Sequence, residues 1–192
     1  MTEREKLYRG IGRVAFGYVF LYFNVNINGV SLMPAFVGYI LFLLAIGDLA
    51  ERERELSLLF VPGVILALWN GVSWLFSFGG GSLEGRIPVA DILICLLNLY
   101  FQFQLLTNLA TLAEASEPEG ANLGGRIRTC RTAQTVMLTV MSALGYLLPL
   151  VGEAWAVLTV LIAILYIIVG IILIKTLFDL RRLFREDGTP EA

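Results

Sequence analysis

Apolar residues in this chain come in long runs rather than at amphipathic spacing, and the runs have the length that crosses a bilayer. A helix rising 1.5 Å per residue needs about 20 residues to cross roughly 30 Å of hydrocarbon. Six windows fit: 8–27, 34–50, 58–78, 88–109, 132–151 and 154–174. The last carries no charged side chain and has only Thr159 and Tyr166 as hydroxyl bearers. The pattern predicts an all-α membrane protein, a single integral domain built as a six-transmembrane-helix bundle, with an amphipathic tail over 175–186.

Composition agrees. The chain is 57% hydrophobic and 16% charged, with a mean hydropathy of +0.77, too little polar surface for a water-soluble domain of 192 residues. Of the 14 Lys and Arg residues, all but Arg86 fall at the N-terminus (Arg4, Lys6, Arg9, Arg13), in the second and fourth connections (Arg52, Arg54; Arg126, Arg128, Arg131) or in the tail (Lys175, Arg181, Arg182, Arg185). Basic residues resist translocation, so this distribution predicts both termini in the cytoplasm of a multi-pass cell-membrane protein. The net charge of −2 carries no argument about nucleic acid, and no nucleic-acid partner is expected. The acidic stretch 114–119, with Pro118 and Gly120, reads as a solvated, mobile loop. A basic N-terminus before the apolar stretch 14–23 has the general form of a secretory signal, but no small-x-small cleavage pattern follows it. Cys95 and Cys130 sit at different depths, so no disulfide is expected.

Between the first two windows, apolar and polar residues alternate on both sides of Asn28-Gly29. Asn-Gly suits a two-residue type I′ turn, because both central positions need φ above zero, and the alternation then pairs Ile27 with Val30 and Asn26 with Ser31. A short β-hairpin is therefore expected between the first two spans. An isolated ribbon has costly edges in lipid, so Asn24 to Asn28 is either an outer loop hydrating the helix end or a folded-in segment lining a polar cavity.

The fourth window carries the densest set of polar side chains. At 100° per residue, Asp91, Cys95, Asn98 and Gln102 lie within about 60° of one another, whereas Gln104 and Asn108 point elsewhere. Such a stripe is expensive against lipid and marks the inside of the bundle, either as interhelical hydrogen bonding or as one wall of a solute-binding cavity. In the second case Asp91 is the charged determinant and Asn98 and Gln102 orient the solute, with Asn70 of the third window and Asn24 and Asn26 of the hairpin as further candidates. Asp91 also follows Pro88 in the first helical turn, where a carboxylate suits the helix dipole, and Arg86 stands near enough in sequence to pair with it.

Other features read as structural. Thr132, Thr135, Thr139, Ser142 and Tyr146 form a hydroxyl-bearing face suited to close packing. Trp69, Trp74 and Trp155, with Tyr8 and Tyr100, suit interface anchors or packing residues as well as ligand contacts. The tail sets Leu177, Phe178, Leu183 and Phe184 against Lys175, Arg181, Arg182 and Arg185, which suits the cytoplasmic lipid surface or a docked partner. Enzyme activity is disfavoured: the chain has no His, no nucleophile elbow and no acidic metal-binding cluster at membrane depth, so no catalytic residue, metal or cofactor is expected.

Residues 26–41, Asn26-Ile27-Asn28-Gly29-Val30-Ser31-Leu32-Met33-Pro34-Ala35-Phe36-Val37-Gly38-Tyr39-Ile40-Leu41, resemble a segment near the start of an uncharacterised family of small multi-span membrane proteins of Gram-positive bacteria. The resemblance implies a bacterial cytoplasmic-membrane address and brings no activity with it. The expectation for function is a small-solute binding or transport component with a polar cavity along the fourth helix. The alternative is a non-transporting assembly or regulatory protein that meets a protein partner through its cytoplasmic loops and tail.

Overall fold

The computed structural model describes residues 2–23, 26–27, 30–31, 33–78, 81, 83, 85–151 and 154–185. Among them are six α-helices: α1 (Glu3–Tyr22), α2 (Ala35–Leu49), α3 (Phe60–Phe78), α4 (Pro88–Ser116), α5 (Leu123–Val151) and α6 (Ala154–Leu183). A 3-10 turn, Arg54–Leu59, leads into α3. Asn26–Ile27 and Val30–Ser31 pair antiparallel, with Asn26 opposite Ser31 and Ile27 opposite Val30. The turn expected at Asn28-Gly29 lies outside the described residues.

Three helical stretches, Arg54–Phe78, Pro88–Ser116 and Val157–Leu183, are long and apolar enough to cross a membrane. The other three differ for separate reasons. At 15 residues α2 is apolar but only about 22 Å long. Through Arg13, α1 carries Arg4, Lys6, Arg9 and Arg13, and α5 opens on Arg126, Arg128 and Arg131, so neither presents an apolar window along its whole length.

The helices form a ring in chain order, each packed on the next and α6 returning to α1, with α3 and α4 meeting least closely. Large side chains fill its centre: Tyr18 of α1, Phe42 of α2, Phe101 and Leu105 of α4, Ile127 of α5 and Leu177 of α6 are all buried. Phe42 and Phe101 rings lie 5.8 Å apart, joining α2 to α4 across the ring. The outward faces are apolar instead: Val61, Leu68 and Leu75 on α3, Leu93 and Leu96 on α4, and Val160 and Ile164 on α6 are exposed. An apolar shell of this extent suits lipid and not water.

At one end of the ring, Asp48 of α2 is buried between two arginines of α1. Arg9 binds it through two hydrogen bonds (2.6 and 3.2 Å), and Arg13 donates both to Asp48 and to the Leu44 carbonyl. A buried carboxylate is tolerable only when charge-paired and hydrogen-bonded, and here both oxygens are used. Above this clamp Gly17 and Gly38 let α1 and α2 touch: a Cβ on Gly17 would collide with the Phe42 ring.

The acidic stretch is a loop only from Glu117 onward: α4 continues to Ser116, Glu114 holds Arg128 through two hydrogen bonds (2.7 and 2.8 Å), and Glu117 accepts the Leu123 and Gly124 N–H groups that open α5. Those are backbone donors with no intrahelical acceptor, so a carboxylate there suits the helix end. The tail turns much of its apolar side inward. It continues α6, and Leu177, Leu180 and Phe184 are buried in the chain's own core.

Candidate solute cavity

Where α3 and α4 part, a cavity of about 460 Å³ opens between them, with α2 and α5 closing its sides. Its wall is polar for its depth. From α4 come Asp91, Cys95 and Asn98; from α3 Trp69, Asn70 and Ser73; from α2 Tyr39; and from α5 Ser142. Asp91, Cys95 and Asn98 meet there because spacings of four and three residues return to one helix face.

Asn98 organises the inner end. Its Oδ1 accepts from the Tyr39 hydroxyl at 2.7 Å and from Gln102 Nε2 at 2.8 Å. With the carbonyl oxygen taken twice, the amide nitrogen is the group Asn98 has left to offer a solute. Gln102 is buried one turn further along α4 and does not line the cavity. It belongs to the site as the residue that orients Asn98, not as a solute contact.

At the outer end, Asp91 Oδ2 accepts the Gly85 N–H at 2.8 Å. Gly85 has a φ of +80°, a left-handed conformation that glycine adopts without Cβ strain, so the turn before α4 can bring its N–H to the carboxylate. The expected Asp91–Arg86 ion pair is not among those of the described residues; Arg86 lies over the Phe76 ring instead, 5.7 Å from its centroid. Asp91 is the one charged side chain lining the cavity among the described residues.

Asn70 lines the same cavity, but its Nδ2 donates to the Leu66 carbonyl of its own helix at 2.8 Å, leaving its carbonyl oxygen outside that bond. Ser73 Oγ is buried at the wall with no partner among the described residues. Asn26 pairs through its backbone in the short ladder, and Asn24 lies outside the described residues. Gln104 and Asn108 bond one another at 3.1 Å, away from the cavity.

Tyr39, Ser73 and Ser142 are wall residues that the α4 stripe alone does not point to. On α5, Thr132, Thr135 and Thr139 return their hydroxyls to carbonyls four residues back (3.0, 2.8 and 2.8 Å), which removes them as interhelical groups. Ser142 breaks that sequence: its Oγ lies 3.2 Å from Cys95 Sγ. Among the described side chains the hydroxyl face of α5 thus contributes to the site through Ser142, and the side chain of Tyr146 lies outside the described residues. No group of three or more His, Cys, Asp or Glu side chains suited to a metal ion occurs among the described residues.

Compared with protein-family models, with curated proteins and with solved structures, the chain matches none of them.

Proposed function

We propose that the chain is a six-span membrane protein with both termini in the cytoplasm, and that it binds or carries a small polar solute in the α2–α5 cavity. The observation that carries this reading is the cavity itself: about 460 Å³ with an aspartate, two asparagines, three hydroxyls and a thiol on its wall. Ligand sites have this volume and this mixture of apolar wall and few converging polar groups. Asp91, in the first turn of α4, sets the one charge among the described wall residues at the outer end of the cavity. With Asp91 the charged wall residue, the solute is neutral or cationic, its polar groups meeting Asn98 Nδ2 and the Asn70 carbonyl.

The topology rests on the charge distribution and on the alternation of helices around the ring. The short α2 completes its crossing with the paired residues 26–27 and 30–31 and Pro34 at one end and the Arg54–Leu59 turn at the other. The bacterial cytoplasmic-membrane address, taken from the resemblance of residues 26–41, belongs to the same proposal. The assembly or regulatory alternative would need a free apolar face on the tail, and Leu177, Leu180 and Phe184 are occupied within the chain.

The test is a thermal-shift screen of detergent-purified protein against neutral and cationic metabolites and inorganic cations, comparing wild type with Asn98→Leu and Asp91→Asn. A stabilising solute whose effect is lost in Asn98→Leu supports the reading. A solute whose effect survives both substitutions places binding elsewhere and overturns the site.

A further inference from the structure

A second polar concavity lies at the arginine-rich end of the ring, on the outside of the α1–α6 seam, and it is independent of the solute cavity. It is a groove of about 330 Å³ to which Arg9 and Arg13 contribute from α1 and Arg181 from α6. Arg181 crosses α1 because position 12 has no side chain: a Cβ on Gly12 would stand 2.9 Å from Arg181 Nε. Its guanidinium stacks on Tyr8, Cζ lying 4.0 Å from the ring centroid, and its Nε is buried with no hydrogen-bond partner among the described residues.

The charge in the groove is not balanced. Arg9 and Arg13 share the one carboxylate of Asp48 behind the groove, and Glu5 is the one acid lining it among the described residues, so three guanidiniums have two carboxylates between them. Several donors of the planar forks remain uncommitted, and such forks match the oxygens of a phosphate. The groove continues along α1 onto Phe16, 49% exposed, whose ring meets Phe178 edge-on at 5.5 Å. Cationic forks beside the exposed Phe16 and the partly buried Phe178, at the end of an apolar bundle, fit a molecule that is a phosphate at one end and hydrocarbon at the other.

We propose that the α1–α6 groove is a binding site for an anionic phospholipid, with the phosphate at Arg9, Arg13 and Arg181 and an acyl chain along Phe16 and Phe178. The lipid supplies the counter-charge that the groove lacks and a partner for Arg181, tying α6 to α1 from the membrane side. A free phosphate shares the headgroup chemistry but has nothing to place on Phe16.

Native mass spectrometry of the detergent-purified protein distinguishes the two, using phosphatidylglycerol and phosphatidylcholine with the same acyl chains, and inorganic phosphate. Wild type should retain phosphatidylglycerol at least about five-fold better than phosphatidylcholine, the size expected from one basic side chain at a membrane surface. Arg181→Gln should lose that preference. Arg182→Gln, one position along and 78% exposed, should keep it. Where Arg181→Gln does not fold, Arg181→Lys keeps the charge without the planar fork and should lower the preference. Equal retention of the two lipids, or an unchanged preference in both Arg181 variants, overturns the proposal. So does inorganic phosphate that displaces phosphatidylglycerol at millimolar concentration, since the acyl chain would then contribute nothing.

Discussion

Asn98 is where demands from two helices converge on one amide. Its carbonyl oxygen satisfies a hydroxyl from α2 and an amide from the next turn of α4, and its nitrogen is left for the cavity. Asn98→Leu therefore strands two donors as well as removing one. Hydrogen bonds between membrane helices average about 0.6 kcal/mol, and a stranded buried group costs more, so a loss of about 1–3 kcal/mol is expected. It would be read as a lowered thermal midpoint together with loss of any solute-induced stabilisation. Gln102→Leu should lower the midpoint less and weaken solute stabilisation without abolishing it, because Gln102 acts through Asn98. At the basic end, burial pushes the Cys130 thiol pKa up, against a smaller opposing effect of Arg126. A raised thiol pKa means less thiolate at any pH below it, and Cys130 is 6% exposed as well. Alkylation of Cys130 by iodoacetamide at pH 7.5 should be slower than that of a free thiol by about ten-fold or more, and denaturant should restore it.

At the scale of elements, α1 and α2 behave as a clamped pair, closed by Arg9, Arg13 and Asp48 at one end and by the Gly17–Gly38 approach above. Gly17→Leu should separate them and cost about 2 kcal/mol or more, seen as a lowered midpoint and loss of monodispersity in size exclusion. Asp48→Asn should destabilise through a different route, by leaving Arg9 and Arg13 short of an anion. Which parts of this the sequence shows follows from what periodicity can carry. The α4 face is legible because Asp91, Cys95 and Asn98 lie on one element, where 100° per residue fixes their relation. Tyr39 and Ser142 are not, since they come from other elements and no spacing links them to α4. The tail illustrates the same limit. Its alternating faces announce a helix with one apolar side, but alternation is identical whether that side meets lipid or α1, and here it meets α1. Asp48 sits inside an otherwise apolar window, and only the fold brings Arg9 and Arg13, one turn apart on α1, to either side of it. The acidic stretch 114–119 has the composition of a loop, and pairing with Arg128 and the start of α5 keeps α4 helical through Ser116.

For the whole molecule, the ring of helices separates two polar regions: an uncharged-to-acidic cavity toward the α3–α4 connection and a basic rim at the ends of α1, α2 and α6. An apolar belt lies between them on α3, α4 and α6. With Pro88 opening α4 and Arg86 the sole basic residue near it, the cavity should face away from the cytoplasm. Tags at the two termini should accordingly be digested by protease only when inside-out vesicles are used; digestion of one tag from each side would break the six-span topology. The most direct measurement of the central claim uses Cys95, which lines the cavity. Small membrane-impermeant methanethiosulfonate reagents applied to intact cells should modify Cys95 and leave Cys130 untouched. The cationic reagent should react about three-fold or more faster than the anionic one, because Asp91 draws cations toward the cavity, and Asp91→Asn should remove the difference. A Cys95 that stays silent to water-soluble reagents until the protein is denatured would mean that the cavity admits no solute, and the account would be wrong.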